Sequence, residues 1–382
     1  MSIYLDNAAT TPLMPEAAQA MKRYYSADFY NPSALYSKSR HVRDKIEEAR
    51  TVIAGLIGAE PEEIFFTSGG TESDNWALNE AMSVRGHIIA GSIEHKAVLA
   101  PLERYAGTGG RYDLLPVDGE GFIKPEILRK YIKRDTSMIS VMTANNEIGT
   151  VEPIGKLARI AHEYDIIFHT DAVQAFGHIP VNVDSMNVDM LSASSHKFNG
   201  PKGTGFLYIR RECRAHPFIY GGGQEKGMRS GTENVPGIIG MAEAARVSCA
   251  RLEMTMAHCR RMSEYITGRI MKEIENARVN GPSDYEKRLP GNMSIGFENV
   301  DAQSLLVLLD MYGVNAAAGS ACGKGNTSHV LRAVRTPDKY AMGTIRMSID
   351  KEMNYRTADY VVEVLSLITH LRAHETSLHL VC

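Results

Sequence analysis

Lys197 is the residue of this sequence whose type and setting most directly suggest covalent chemistry. It comes shortly after the apolar segment 188–191, which is predicted to be a buried strand, and it precedes the glycine-rich turn 200–203. A lysine amine at the end of a buried strand can form a Schiff base with a carbonyl cofactor. Because most lysines are solvated surface charges, this interpretation depends on the residues around Lys197.

Asp171 follows a second apolar segment, 166–170, which is also predicted to be a buried strand. A carboxylate at such a strand end can keep a pyridine nitrogen protonated, and pyridoxal phosphate requires this to act as an electron sink. Gln174 could donate a hydrogen bond to the ring oxygen of the same cofactor. Taken alone, Asp171 is equally well explained as a helix N-cap.

A glycine-rich turn follows a third predicted strand, 63–67, and leads into a predicted helix over 72–82. Gly70 lets the backbone approach an anion closely, and the unpaired N–H groups of a helix start favour negative charge. The turn matches neither the dinucleotide-binding glycine pattern nor the nucleoside-triphosphate loop. It is a candidate phosphate seat, although an ordinary strand-to-helix turn capped by Thr71 fits the same residues.

His95 follows a further predicted strand, 87–92. An imidazole in this place could stack on a cofactor ring and move protons near neutral pH. A capping or surface histidine remains the alternative for this residue read by itself.

Ordered motifs over nearly the whole chain resemble those of the cysteine desulfurases. These are pyridoxal-phosphate enzymes of fold type I that supply sulfur for iron–sulfur cluster assembly and related pathways. Several of the motifs are shared with selenocysteine lyases. The motifs occupy 4–12, 31–33, 67–75, 94–98, 145–149, 171–174, 194–203, 221–225, 229–232, 319–322 and 345–346.

The resemblance implies a role for each candidate residue. Lys197 is expected to hold the cofactor covalently, Asp171 to pair with the pyridine nitrogen, and Gln174 to contact the ring hydroxyl. His95 is expected to stack on the ring and to exchange protons during catalysis. The implied phosphate ligands, added to Gly70 of the candidate seat, are Thr71, Ser194 and His196, joined by Thr232 of the partner subunit.

The substrate-facing residues implied by the resemblance are Asn146, Arg346 and Cys322. Asn146 and Arg346 would bind the substrate carboxylate, Arg346 through the two-pronged geometry that a guanidinium favours. Cys322 would be the nucleophile that accepts sulfur. It lies in the small-residue stretch 318–327, with Lys324 close enough in sequence to favour a thiolate, although a free loop thiol without a role is the alternative.

Composition limits the classes of partner. The net charge of −3 gives no reason to expect nucleic acid or a membrane surface as a partner. No apolar run approaches the roughly 20 residues of a membrane span, so we expect a cytoplasmic protein. The five cysteines are scattered and odd in number, which argues against a disulfide framework and a paired-cysteine zinc site, and no metal is expected.

The order of predicted elements indicates the fold. Apolar strands alternate with amphipathic helices over about 60–210, as in a parallel sheet covered on both faces. A long helical stretch over about 240–277 then changes the pattern. With the resemblance, we predict an α/β protein of pyridoxal-phosphate fold type I. Its large domain, 15–254, contains a mostly parallel seven-stranded sheet, and a smaller α+β domain, 1–14 with 255–382, carries the cysteine loop.

The predicted activity is conversion of L-cysteine to L-alanine, with transfer of the sulfur to Cys322 as a persulfide. The implied partners are a second copy of the chain and a sulfur-acceptor protein such as an iron–sulfur scaffold. A selenocysteine lyase, or another pyridoxal-phosphate lyase of this fold, would use the same cofactor residues without Cys322 as a persulfide carrier. A non-catalytic scaffold of the same fold is the third possibility.

Overall fold

The structure, a computed structural model, describes residues 2–319 and 327–378. The strands are β1 (Ile3–Tyr4), β2 (Ile64–Thr67), β3 (His87–Gly91), β4 (Tyr112–Leu115), β5 (Thr136–Ser140), β6 (Ile167–Asp171), β7 (Met190–Ser194), β8 (Gly205–Ile209), β9 (Ala277–Val279), β10 (Asn292–Phe297), β11 (Val314–Asn315), β12 (Ala317–Ala318) and β13 (Thr344–Ser348). The helices are α1 (Pro15–Lys22), α2 (Ser37–Ile57), α3 (Gly70–Ser83), α4 (Lys96–Gly107), α5 (Pro125–Tyr131), α6 (Ile154–His162), α7 (Val183–Met186), α8 (Val235–Ala250), α9 (Leu252–Glu273), α10 (Ala302–Met311), α11 (His329–Ala333), α12 (Asp338–Ala341) and α13 (Tyr355–Leu378).

Seven strands form the central sheet in the spatial order β2-β8-β7-β6-β5-β3-β4. The strands from β3 to β7 pair in parallel, whereas β8 is antiparallel to both β2 and β7. Every residue of β2, β3, β7 and β8 is buried, as expected for a sheet that is covered on both faces. The prediction of a mostly parallel seven-stranded sheet is confirmed.

Neighbouring residues of one strand pack into different cores on the two faces of this sheet. Phe65 of β2 lies with Trp76 of α3 in one cluster. Phe66 lies with Ile53 of α2 in the other, which also contains residues of α1 and α8. Because successive side chains of a strand point to opposite faces of the sheet, α3 packs on one face and α1, α2 and α8 pack on the other.

The same topology brings several strand ends to one edge. Because β2 and β7 are both antiparallel to β8, β2 runs in the same direction as β7. The chain therefore leaves β2, β3, β5, β6 and β7 at one edge of the sheet. The carboxyl edge of parallel strands is where α/β folds bind ligands.

A second, antiparallel sheet has the order β12-β13-β10-β9. Helices α9, α10 and α13 pack around it, and its core contains buried side chains such as Met262, Leu305 and Val361. β1 pairs in parallel with β11, which carries Leu5 into this second core. We propose that residues 15–254 form one domain and that residues 1–14 and 255–382 form another, because the two sheets have separate hydrophobic cores.

The long helical stretch predicted over about 240–277 is helical in the structure over most of its length. It is divided into two helices, α8 and α9, with Arg251 between them at φ −105° and ψ 5°, outside the helical region. α8 packs against α1 and α2, whereas α9 packs against α13, so the break lies where the chain passes from the first core to the second. Among the described residues, no helix is long and apolar enough to cross a membrane.

Candidate active site

A cavity of about 380 Å³ opens at the carboxyl edge of the central sheet. This volume lies within the usual range of roughly 300–1,000 Å³ for small-molecule sites. All the candidate residues except Thr232 and Cys322 line it. The lining comprises Ala8, Ala9, Gly70, Thr71, Asp74, His95, Met142, Asn146, Asp171, Val173, Gln174, Ser194, His196, Lys197 and Arg346.

Lys197 lies in a short 3₁₀ turn, Ser195–Lys197, directly after β7. Its Nζ donates to the carbonyl oxygens of Ala8, at 2.6 Å, and Ala9, at 2.9 Å. Burial, reinforced by the positive charge of Arg346, lowers the pKa of the Lys197 amine to about 8. A neutral amine is therefore accessible near neutral pH, as a nucleophile or a proton acceptor requires.

Asp171 ends β6 and is 4% exposed. Its Oδ1 accepts a hydrogen bond from Val173 N at 2.8 Å. Burial raises the pKa of this carboxyl, whereas His95 and Lys197 oppose the shift. A cation placed against Asp171 would stabilise its charged form, so the carboxyl suits a protonated ring nitrogen.

Gln174 extends from the same turn, and its Nε2 donates to Ala8 O at 2.9 Å. The Ala8 carbonyl therefore accepts hydrogen bonds from both Gln174 and Lys197. This shared contact fixes the N-terminal segment, which belongs to the second core, over one side of the cavity.

The turn after β2 is shaped for an anion. Gly69 has φ 149°, and a Cβ added at Gly70 would lie 2.5 Å from Cγ2 of Val173, so a side chain at position 70 would fill the seat. Gly70 and Thr71 at the start of α3 line the cavity together with Ser194, and the unpaired N–H groups of a helix start favour an anion. The cradle fits a phosphate group.

His196 lines the same cavity, after β7. Its Nδ1 lies 3.1 Å from Thr10 Oγ1. Burial and the nearby positive charges of Lys197 and Lys202 lower the pKa of the imidazole to about 4. The ring is therefore neutral near pH 7 and can offer one N–H as a hydrogen-bond donor.

His95 is the N-cap of α4, and its Nδ1 accepts a hydrogen bond from Ala97 N at 3.2 Å. Because Nδ1 acts as acceptor, the neutral ring carries its proton on Nε2. Burial lowers the pKa of His95. His95 thus caps α4 through one ring nitrogen, and its ring also lines the cavity.

Arg346 lies on β13 of the second sheet, at the far side of the cavity. Its Nη2 donates to Asp6 Oδ1 at 2.5 Å and its Nη1 to Asn146 O at 3.3 Å. Its Nε is buried without a hydrogen-bond partner among the described residues. These two contacts fix the guanidinium in place at the cavity.

Asp74 is the main lining residue that the sequence analysis missed. It is 1% exposed, and it lies one turn into α3, on the same side as Gly70. Helical periodicity from the candidate phosphate seat could have indicated it, since residues three and four apart share a helix face. The other missed lining residues are Ala8, Ala9, Met142 and Val173.

Thr232 is exposed and does not line the cavity of its own chain. The segment that carries it is nevertheless held firmly. Arg229 forms a bidentate contact with Glu72 of α3, at 2.7 and 3.0 Å, and the buried Glu225 binds Arg50 at 2.7 Å. The segment is thus presented at the surface beside the start of α3.

Cys322 lies outside the described residues. The chain on either side of it is tied to the site: Gly319 N donates to Thr344 O at 2.9 Å, and Ser328 Oγ donates to Glu147 Oε2 at 2.6 Å. Burial raises the pKa of the described thiols Cys213 and Cys259 to about 12, and it also raises that of Cys249. Within the described part of the chain, no three His, Cys, Asp or Glu side chains form a metal-binding group.

Known proteins resemble this chain along nearly its whole length. The model of the family "Aminotransferase class-V" matches residues 3–362. A cysteine desulfurase IscS of Dictyoglomus turgidum is 46% identical over 372 residues, which cover 96% of this chain and 94% of the relative. A solved NifS-like protein aligns with a TM-score of 0.91 at 35% identity, covering 97% of this chain and 100% of that chain. SspA in complex with cysteine aligns with a TM-score of 0.80 at 33% identity, covering 91% and 99%.

Proposed function

Because this chain belongs to the aminotransferase class-V family and, within it, to the pyridoxal-phosphate-dependent cysteine desulfurases, we propose that the cavity at the sheet edge is its active site. The fold is the pyridoxal-phosphate fold type I of that family. The observation that carries the proposal is the convergence of the Lys197 amine, the Asp171 carboxyl and the Arg346 guanidinium on one cavity.

The residues present fit the cofactor. The anion seat at the start of α3, with Gly70, Thr71, Ser194 and His196, would hold its phosphate. Asp171 would face its ring nitrogen, Gln174 its ring oxygen and His95 one face of its ring. When bound, pyridoxal phosphate supplies a carbonyl carbon for amines and a protonated ring that accepts the electron pair of a broken bond.

Lys197 would hold the cofactor covalently at rest. When not bound to the cofactor, the Lys197 amine would be held beside the cavity by the carbonyl oxygens of Ala8 and Ala9. With its pKa lowered to about 8, this amine can accept the α-proton of the substrate.

Arg346 and Asn146 would orient L-cysteine by its carboxylate. The guanidinium enters the reaction already fixed by Asp6 and by the Asn146 carbonyl, so little side-chain freedom is lost when the substrate binds. His95, with its proton on Nε2, is placed to exchange a proton with the reacting groups.

Cys322 would take the sulfur. Its thiolate attacks the substrate sulfur, the carbon–sulfur bond of L-cysteine breaks, and the sulfur remains on Cys322 as a persulfide. The carbon skeleton keeps the electron pair and, after protonation, leaves as L-alanine, so one L-cysteine and one thiol give one L-alanine and one persulfide.

A second copy of the chain would complete the site. Thr232 is exposed in the single chain and is presented by a segment held through Arg229 and Arg50. The family resemblance assigns this threonine to the phosphate of the partner's cofactor. We propose a two-fold homodimer on this basis.

An acceptor protein such as an iron–sulfur scaffold would receive the persulfide sulfur. The name IscS of the relatives supports this assignment. A cytoplasmic setting is consistent with the free thiols of Cys213, Cys249 and Cys259.

The test is incubation of the purified, cofactor-loaded protein with L-cysteine. We expect stoichiometric L-alanine and a mass increase of one sulfur atom on the peptide that contains Cys322. A parallel incubation with L-selenocysteine tests the alternative, selenocysteine lyase activity. Faster release of alanine from selenocysteine, without a modified Cys322, would favour a selenocysteine lyase.

A further inference from the structure

Asp74 is a second buried carboxyl that lines the cavity and interacts electrostatically with Asp171. The two groups are 1% and 4% exposed, and both line the cavity. Oδ1 of Asp74 is buried without a hydrogen-bond partner among the described residues. Its carboxyl also interacts with the hydroxyl of Ser192, the residue that pairs with Asp171 across β6 and β7.

The nearest basic group to Asp74 is His169, whose Nε2 lies 3.6 Å from Oδ1 of Asp74. This distance exceeds that of a hydrogen bond. The ring of His169 instead contacts two hydroxyls, Ser140 Oγ at 2.8 Å and Ser192 Oγ at 3.0 Å. His169 is fully buried, and burial lowers its pKa to about 3, so it is neutral and does not balance a charge on Asp74.

Two adjacent buried carboxyls cannot both be charged at low cost, because like charges in a dry site repel strongly. Asp171 is the one that a protonated ring nitrogen would stabilise. Burial and the neighbouring Asp171 raise the pKa of Asp74 well above its ordinary value. We therefore expect Asp74, and not Asp171, to be the protonated member of this pair.

We propose that Asp74 is a positioning residue that remains an uncharged acid, so that Asp171 alone carries the negative charge opposite the cofactor ring nitrogen. This inference rests on the proposed function of the cavity. Asp74 touches the hydroxyl network of Ser192 and His169 rather than the reacting atoms, and it acts through Asp171.

The groups that face Asp74 come from several elements. β6 contributes Asp171 and His169, and Glu94, after β3, is a further buried carboxyl that interacts electrostatically with Asp74. β7 contributes the hydroxyl of Ser192, while Ser140 of β5 contacts the ring of His169. Burial also raises the pKa of Glu94 well above its ordinary value, so Glu94 is a second buried acid that favours the uncharged form.

The test compares Asp74→Asn with Asp74→Leu. Asparagine reproduces the size and the polar contacts of an uncharged acid, whereas leucine keeps the bulk and removes the polar contacts. For Asp74→Asn we expect a cofactor dissociation constant within about twofold of the wild type and an unchanged pH midpoint of the visible absorption. For Asp74→Leu we expect the dissociation constant to rise about tenfold and the midpoint to move by roughly half a pH unit or more, because Asp171 loses a polar neighbour.

The apoprotein gives a second readout that needs no cofactor. A carboxyl whose folded pKa is raised contributes stability that is present at low pH and is lost as pH rises toward that pKa. The melting temperature of Asp74→Asn relative to the wild type should therefore increase as pH rises from about 5 toward the raised pKa of Asp74. Glu152→Gln is the matched control: it should show the same trend, because Glu152 is a buried acid, but it should leave both cofactor readouts unchanged.

Three results would overturn the inference. If Asp74→Asn perturbs the cofactor as much as Asp74→Leu, or leaves the pH trend of melting unchanged, Asp74 is charged, for example in an ion pair with His169. If Asp74→Leu binds the cofactor like the wild type, the residue has no positioning role. A wild-type protein that binds no pyridoxal phosphate would instead refute the proposed function, and the apoprotein comparison would still report the charge of Asp74.

Discussion

The guanidinium of Arg346 donates to the carboxylate of Asp6 across 2.5 Å, although the two residues are 340 positions apart in the chain. The group proposed to bind the substrate carboxylate is thus already paired with a carboxylate of the protein. The pair fixes the guanidinium plane, and Arg346 also lines the cavity.

We predict that Arg346→Lys raises the KM for L-cysteine by about tenfold or more, with a smaller effect on kcat. A lysine amine is a single point charge and cannot contact Asp6, the Asn146 carbonyl and a substrate carboxylate in one plane. Initial rates of alanine formation over a range of L-cysteine concentrations give both constants. Arg246→Lys, in an exposed pair with Glu243, is the control and should match the wild type. An unchanged KM for Arg346→Lys would remove Arg346 from the substrate site.

Lys197→Ala should abolish turnover and the visible absorption of the covalently bound cofactor. Among the cavity-lining residues, Lys197 supplies the one lysine amine. The absorption spectrum of the purified variant and its alanine production are the measurements. Lys130→Ala, at an exposed position of α5, serves as the control. A normal spectrum and rate in Lys197→Ala would refute the assignment.

Cys322→Ser should bind the cofactor normally and release no alanine, because a neutral hydroxyl is a poor nucleophile toward sulfur. Cys249→Ser is the matched control, since burial raises the pKa of the Cys249 thiol and disfavours its thiolate. Alanine assays on both variants decide the point. Substantial alanine release by Cys322→Ser would move the activity toward a lyase.

Thr232→Ala should weaken cofactor retention by roughly tenfold without dissociating the dimer, because it removes one hydrogen bond to a charged group. Dialysis of the loaded protein measures retention, and sedimentation measures the oligomeric state. Thr108→Ala, an exposed threonine after α4, provides the comparison. A fully loaded and active wild-type monomer at working concentration is the result that contradicts a shared site.

We predict that the free energy of unfolding falls as pH rises over the range in which the buried carboxyl of Glu152 ionises. Burial raises the pKa of Glu152 to about 8, and both its oxygens accept from Ile123 N. An acid with a raised folded pKa stabilises the fold at low pH, and this stabilisation is lost between its ordinary pKa and about 8. The melting temperature of Glu152→Gln relative to the wild type should therefore increase from pH 5 to about pH 8 and then level off. A temperature difference that is constant with pH would show that Glu152 is already charged in the folded protein.

The site residues that could be predicted from the sequence are those that lie at the ends of predicted strands. Lys197, Asp171 and His95 each come at or just after the end of an apolar strand, and the parallel order of those strands brings their ends together. Their convergence could therefore be predicted from strand periodicity and the family motifs.

Other features depend on distant packing and were not predictable in this way. Asp74 becomes a cavity residue because α3 packs on β7, which places it beside Asp171, 97 positions later in the chain. The Asp6–Arg346 pair requires the N-terminal segment to join the second core. The break at Arg251 carries no proline or glycine, and it arises because α8 and α9 pack into different cores.

The 340-residue separation of Asp6 and Arg346 also bears on the order in which the chain acquires its parts during synthesis. The anion seat, Asp171 and Lys197 are all present once residue 197 has been made, whereas Arg346 is added when 346 of 382 residues have been joined. Domains generally fold as units while the ribosome is still working. The residues proposed to bind the cofactor are therefore synthesised well before Arg346, the residue proposed to bind the substrate carboxylate.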